Sequence, residues 1–139
     1  MPQYMPIQGY KQLEDALKVH AKPNCLIYIY FFGEKDSNGQ SWCPDCVAVE
    51  ETVNTAFREY SHQNSLIFTV DVGNRLAWKD TVDNKFRQPP YSLVEIPTLI
   101  RWQGAERLAG AQLKKDDLLR LFFDEAKTQS ATDKTVLCQ

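Results

Sequence analysis

Residues 26–60 read LIYIYFFGEKDSNGQSWCPDCVAVEETVNTAFREY. The first seven are apolar and rich in β-branched and aromatic side chains, which is typical of a central parallel strand covered on both faces. A polar loop with two glycines follows over 33–41. Apolar residues then recur at helical spacing, at Cys46, Val49, Val53, Phe57 and Tyr60. This stretch therefore predicts a strand, a loop and a helix that begins at the two cysteines.

The flanking sequence extends this pattern in both directions. Helical spacing precedes the strand over Gly9–His20, and a second apolar strand follows over 66–72. Short helical pieces are expected over 74–87. They end before Pro89 and Pro90, because proline cannot continue a helix. A hairpin over 98–110 and an amphipathic helix over 113–126 complete the order. We expect an α/β fold with a central mixed sheet flanked by helices, as one domain over 1–127 with a flexible C-terminal tail over 128–139.

Composition narrows the functional classes. The chain has 139 residues, 43% of them hydrophobic, and a formal net charge of −2. The sequence lacks a basic surface of the kind that predicts nucleic-acid binding. It also lacks an apolar run long enough to predict a membrane span. The N-terminus lacks the basic and apolar segments of a signal peptide. We therefore expect a cytosolic protein, and nothing in the sequence demands an oligomer, so we expect a monomer.

The pair Cys43 and Cys46 is the strongest chemical signal. Residues three apart on the first turn of a helix share one face, so their Cα atoms can lie within the roughly 4.4–6.8 Å that a disulfide needs. Pro44 suits the first helical position, which puts Cys43 at the N-cap beside unpaired N–H groups. Those groups favour a thiolate, which is the attacking species, whereas the carboxylate of Asp45 opposes it.

These residues predict a two-step exchange. Cys43 attacks a substrate disulfide to form a mixed disulfide, and Cys46 then attacks Cys43 and releases the reduced substrate. Two other classes stay open: a redox-regulated binding protein in signalling without significant turnover, and a zinc-bound module. Zinc needs two more ligands, and there is no second CxxC or paired histidine. We expect Cys25 to be a buried core residue and Cys138 an incidental exposed thiol.

Several motifs together resemble one family. The segments 32–36 and 41–46, the latter reading SWCPDC, are followed by VDVG at 70–73, WKD at 78–80, NKFR at 84–87 and IPTL at 96–99. In this order they resemble the small cytosolic thioredoxin-related proteins with a WCPDC active site, the thioredoxin-domain-containing protein 17 family. The resemblance runs from about Ile7 to Phe123 and is far more specific than CxxC alone.

The resemblance implies a thioredoxin fold with Cys43 as nucleophile and Cys46 as resolving thiol. It also implies that Pro97 follows a cis peptide bond and faces the cysteines, which would leave the Ile96 backbone free to pair with an extended substrate. Trp42, Pro44, Asp45, Ile96 and Pro97 are the expected substrate-binding residues. No bound cofactor is implied. Electrons would come from NADPH through thioredoxin reductase, and the substrates would be small disulfides such as cystine and selected protein thiols modified by nitrosylation or persulfidation.

Two features depart from the thioredoxin pattern. The strand before the motif carries no buried carboxylate over 28–32, so another group or water must move the proton of Cys46. Asp71, at the end of a parallel strand, could assist that proton or could only hold a turn. The loop 33–41 is longer than that of thioredoxin. It either overhangs Cys43 and restricts bulky partners or serves as a spacer without contact to substrate.

Overall fold

A computed structural model describes residues 2–132 of the chain, with side chains through Asp124. It contains five strands, four α-helices and two 3-10 turns over these residues. In chain order they are β1 (Gln3–Gln8), α1 (Gly9–His20), β2 (Ile27–Phe32), α2 (Pro44–Tyr60), β3 (Leu66–Asp71), α3 (Arg75–Lys79), a 3-10 turn (Lys85–Arg87), β4 (Thr98–Arg101), β5 (Arg107–Ala109), a second 3-10 turn (Gly110–Lys114) and α4 (Asp116–Thr132). The α/β order expected downstream of α1 is confirmed.

The strands form one mixed sheet in the order β1-β3-β2-β4-β5. β1 and β2 both run parallel to β3, whereas β4 is antiparallel to β2 and to β5. Phe31, near the end of β2, pairs with Thr98, the first residue of β4. The loop that leaves β2 and the segment that enters β4 therefore meet at one edge of the sheet, and this edge carries the cysteine motif.

Alternation along β2 divides the core between the two faces of the sheet. Ile27, Ile29 and Phe31 are buried on the face covered by α1 and the segment that contains Trp78 and Phe86. On the opposite face Tyr28 and Tyr30 pack with α2 and α4. Because every residue from 27 to 31 is buried, the strand reads as continuously apolar, which is what a strand covered on both faces requires.

The strand β1 is absent from the order predicted from the sequence, which begins with α1. Its six residues, QYMPIQ, alternate poorly and include Pro6, and a proline inside a short run argues against a strand. Pro6 is compatible with the strand because β1 pairs only with β3 and lies at the edge of the sheet. An edge strand tolerates a proline, since one row of its N–H groups faces away from the ladder.

The C-terminal region differs partly from the expected boundary at residue 128. The backbone of α4 continues to Thr132, so the first residues of the predicted tail are helical, and residues 133–139 lie outside the described part of the chain. The flexibility of this tail stays a prediction. Over the described residues, no helix has the length and apolar character needed to cross a membrane.

Candidate active site

The N-terminus of α2 is built around Cys43. Cys43 is the N-cap residue in an extended conformation, and Pro44 occupies the first turn, where its missing N–H costs nothing. The Cys43 sulfur accepts a hydrogen bond from the backbone N–H of Cys46 at 3.2 Å. Such a donor stabilises a negatively charged sulfur more than a neutral one. The local sequence thus puts the first cysteine at a helix end, with its sulfur held by a backbone N–H.

Cys46 lies one turn further into the helix and is held as a thiol. Both cysteines are free and each is 4% exposed. Burial raises the pKa of Cys46 well above its usual range, and its hydrogen bond with Cys43 adds to the rise. A hydrogen bond from the Gly33 backbone opposes this shift, whereas the charge of Asp45 adds to it. At neutral pH Cys46 therefore has to lose a proton before it can attack.

Ser41 anchors the cysteine motif to the end of β2. Its hydroxyl donates to the Gly33 carbonyl at 2.7 Å and accepts from the Cys43 backbone N–H at 3.1 Å. Ser41 is itself buried, so both hydrogen bonds are shielded from water. One side chain therefore fixes the nucleophilic residue relative to the strand that precedes it.

Trp42 is held in place by contacts with three residues, Gly73, Arg75 and Gly33. Its Nε1 donates to the Gly73 carbonyl at 2.9 Å, and the Arg75 guanidinium lies 5.3 Å from the ring centre. A Cβ at Gly33 would lie 2.8 Å from the indole, so only glycine permits this close approach. Trp42 remains half-buried, which leaves part of its ring at the surface beside the cysteines.

The segment that enters β4 supplies the other wall of the site. The Ile96–Pro97 peptide bond is cis, as the resemblance implies. The Cys43 thiol lies 3.8 Å from the Ile96 carbonyl oxygen and donates to it. Both Ile96 and Pro97 are buried, whereas Pro44 and Asp45 are exposed. The structure thus brings all seven predicted site residues to one edge of the sheet, and their roles toward substrate stay predictions.

The loop 33–41 is folded back on itself rather than extended. An isolated bridge joins Lys35 to Ser41, and the Asp36 carboxylate accepts the backbone N–H groups of Asn38 and Gln40 at 2.9 and 3.1 Å. From this loop the Lys35 ammonium reaches the Glu50 carboxylate on α2 at 2.8 Å. The loop is therefore tied to the helix that carries both cysteines.

The sequence analysis also singles out Asp71, Cys25 and Cys138. Asp71 accepts the Gly73 N–H at 2.7 Å, and the positive φ of Gly73 (103°) suits the tight turn that this contact closes. Cys25 packs half-buried against the core and is disulfide-bonded, rather than being the buried core residue expected from the sequence. Cys138 lies outside the described residues. Over the described part of the chain, no cluster of three His, Cys, Asp or Glu side chains could hold a metal.

The roles of Ser41, Gly33 and the Lys35–Glu50 pair were not predicted from the sequence. A serine two residues before a helical cysteine carries no distinctive signal. For Glu50 a signal exists, because it lies four residues after Cys46 on the same helix face. Its partner Lys35 is 15 residues away in sequence, and only the fold of the loop shows that the two meet.

Comparison with solved structures defines the class of protein. Reduced Schistosoma mansoni thioredoxin pre-protein aligns with a TM-score of 0.52 and 20% identity, covering 87% of this chain and 98% of that one. The chain therefore has the thioredoxin fold.

The particular family follows from sequence. The model of the thioredoxin domain of thioredoxin domain-containing protein 17-like proteins matches residues 6–125, and the chain belongs to this family. Thioredoxin domain-containing protein 17 of Epinephelus coioides is 36% identical over 121 residues, covering 86% of this chain and 93% of that protein. The Danio rerio protein of the same name is 34% identical over 119 residues, with the same coverage. Family membership and the adjacent free cysteines support a general role as a thiol oxidoreductase.

Proposed function

We propose that the protein is a disulfide reductase whose Cys43–Cys46 dithiol reduces small disulfides such as cystine, and selected nitrosylated or persulfidated protein thiols, in the cytosol. Its oxidised form would be reduced by thioredoxin reductase with electrons from NADPH, and the protein itself would bind no cofactor. The observation that carries this proposal is the difference between the two sulfurs. Cys43 caps the helix and accepts a backbone N–H, while Cys46 is kept protonated one turn deeper.

The reaction follows from that difference. The Cys43 thiolate attacks one sulfur of the substrate disulfide, the S–S bond breaks, and the departing thiolate takes a proton from solvent. Cys46 then loses its proton and attacks Cys43, which forms the intramolecular disulfide and releases the second thiol. The Ile96 carbonyl, now beside Cys43, lies where an extended substrate backbone could donate a hydrogen bond to it. Exposed Pro44 and Asp45 and half-buried Trp42 would form the contact surface.

The test is NADPH consumption with thioredoxin reductase and cystine, with wild-type protein compared with Cys43→Ser. We expect turnover by the wild type and none by the variant, because the variant lacks the attacking sulfur. If reduced, folded wild-type protein shows no turnover, the proposal fails. The remaining reading would then be a redox-regulated binding protein that senses oxidation without turnover.

A further inference from the structure

A small cavity is lined by Cys46 but not by Cys43 or Ile96. Its volume is about 140 Å³, enough for a few water molecules at about 30 Å³ each. It is lined by Tyr30, Phe32, Lys35, Ser41, Cys46, Glu50, Asn54 and Thr69. The resolving thiol therefore lines a space of mixed polar and apolar character, which it shares with groups on β2, β3, α2 and the loop 33–41.

The chemistry of the second step requires a proton acceptor in this space. Cys46 is buried and its pKa is raised, so its own ionisation at neutral pH is rare. Asp45, whose charge helps to raise the pKa of Cys46, is exposed and does not line this cavity. Asp71, the other carboxylate that the sequence suggests, accepts the Gly73 N–H and lines a different cavity. Glu50 is the only carboxylate among the residues that line the cavity of Cys46.

The placement of Glu50 suits proton transfer. It follows Cys46 by four residues on α2, which brings their Cβ atoms to within about 5–6 Å on one helix face. Its carboxylate is held by Lys35 at 2.8 Å, and its side chain is 41% exposed. One side of the carboxylate thus borders the cavity and the other borders solvent, so a proton taken from inside can leave to bulk water.

The remaining titratable groups around Glu50 do not compete for this role. Lys35 is a cation that stabilises the carboxylate. Burial raises the pKa of the Tyr30 hydroxyl, and the negative charges of Cys46 and Glu50 raise it further. Tyr30 therefore stays protonated, and it can pass a hydrogen bond along the cavity but cannot accept the proton as a base.

We propose that Glu50 accepts the proton of Cys46 through water in this cavity when Cys46 resolves the mixed disulfide, and that Lys35 positions the Glu50 carboxylate. The inference rests on the proposed function. In this step Cys46 loses H⁺ to Glu50 and its sulfur forms a bond with the Cys43 sulfur. The bond between Cys43 and the substrate sulfur breaks, and the substrate leaves as a thiolate with the electron pair. Glu50 then returns its proton to solvent.

The experiment separates the two chemical steps by stopped-flow mixing of reduced protein with 5,5′-dithiobis(2-nitrobenzoate). Attack by Cys43 releases one coloured thiolate, and attack by Cys46 on the mixed disulfide releases a second. For Glu50→Gln we expect the first phase to stay within twofold of wild type. The second phase should slow at least about 100-fold at pH 7, the lower end of what a positioned proton acceptor contributes. This deficit should shrink as the pH rises and hydroxide takes over.

The sign of the effect distinguishes a proton acceptor from a nearby charge. Removal of a negative charge favours a neighbouring thiolate, so if Glu50 acted only through its charge, Glu50→Gln would speed the second phase. The matched control is Glu51→Gln, the same change at the next, exposed position of α2, which should leave both phases unchanged. Lys35→Met keeps the carboxylate but removes the ion pair that positions it, so it should slow the second phase less than Glu50→Gln does.

The outcomes separate this inference from the proposed function. If the wild type shows both phases and Glu50→Gln matches Glu51→Gln or is faster than wild type, the inference is wrong while the reductase proposal stands. If the wild type itself shows no second phase, the proposed two-step reaction fails. Glu50→Asp provides a second variant, and recovery of part of the second-phase rate would support a carboxylate that works through water.

Discussion

The two cysteines are equally buried, at 4% exposure each, but their surroundings differ in kind. Cys43 is surrounded by backbone groups: the N–H of Cys46, its own N–H bound to Ser41, and the Ile96 carbonyl. Cys46 faces a cavity whose charged groups come from two side chains, Lys35 and Glu50. The nucleophile is thus prepared by a helix end, and the resolving thiol depends on side chains brought together by the fold.

The largest effect on stability is expected at Ser41, because its side chain alone links the Cys43 backbone to Gly33 at the end of β2. Ser41→Ala removes both hydrogen bonds of the buried hydroxyl and leaves the Gly33 carbonyl and the Cys43 N–H without it. Unsatisfied buried groups cost about 1–3 kcal/mol each, so we expect the free energy of unfolding to fall by about 2–3 kcal/mol in urea titrations. The control Ser37→Ala, at an exposed position of the same loop, should change it by less than about 0.5 kcal/mol. Equal effects of the two variants would contradict the anchoring role.

A smaller effect is expected from Trp42→Phe. This change removes the Nε1–H that donates to Gly73, but the Gly73 carbonyl keeps its second donor, the N–H of Glu34 at 3.0 Å. Because no acceptor is orphaned, the loss should be about 1 kcal/mol, the net value of one hydrogen bond, measured by chemical unfolding. A variant as stable as wild type would show that the indole N–H does not hold Trp42 in place.

The smallest effect tests the surroundings of Cys46 through pH. The folded-state pKa of Cys46 lies above its unfolded value, so the protonated thiol contributes to the free energy of unfolding. This contribution is fully present below the unfolded pKa of about 8.5 and is lost as the pH rises above it. Between pH 7 and pH 9 the reduced wild type should lose about 0.8 kcal/mol relative to Cys46→Ala. The difference between their urea unfolding curves reports Cys46 together with its effect on Cys43, the one other titrating group hydrogen-bonded to it. A difference that is constant from pH 7 to pH 9 would mean that the thiol is not held protonated by the fold.

The same contrast explains what could be predicted from sequence. The helix that begins at the cysteines follows from Pro44 and from the apolar spacing after Cys46, because these are local signals. The continuously apolar run of β2 identifies a strand buried on both faces. The position of Cys43 at this helix end was therefore predictable, whereas its contact with Ser41 was not. The position of Ile96 and Pro97 opposite the cysteines came from the family resemblance.

The rest depends on contacts that local patterns do not encode. The edge strand β1 contains Pro6 and owes its existence to pairing with β3. The disulfide bond of Cys25 joins a residue with no nearby cysteine in sequence. In the sequence, Lys35 and Glu50 are two ordinary charged residues. The fold of the loop 33–41 against α2 brings them together. Long-range pairing between flexible polar side chains produces no periodic pattern in the sequence.

The central claim, that Cys43 attacks and Cys46 resolves, is tested most directly by intact-mass measurement of two variants after brief mixing with cystine. Reduced Cys46→Ser should gain one half-cystine, mapped to Cys43 by peptide mass, because the mixed disulfide cannot be resolved. Reduced Cys43→Ser should gain none on the same time scale, because its Cys46 is held as a thiol. An adduct on Cys46 in the Cys43→Ser protein, with none on Cys43 in the other, would reverse the assigned roles and contradict the account.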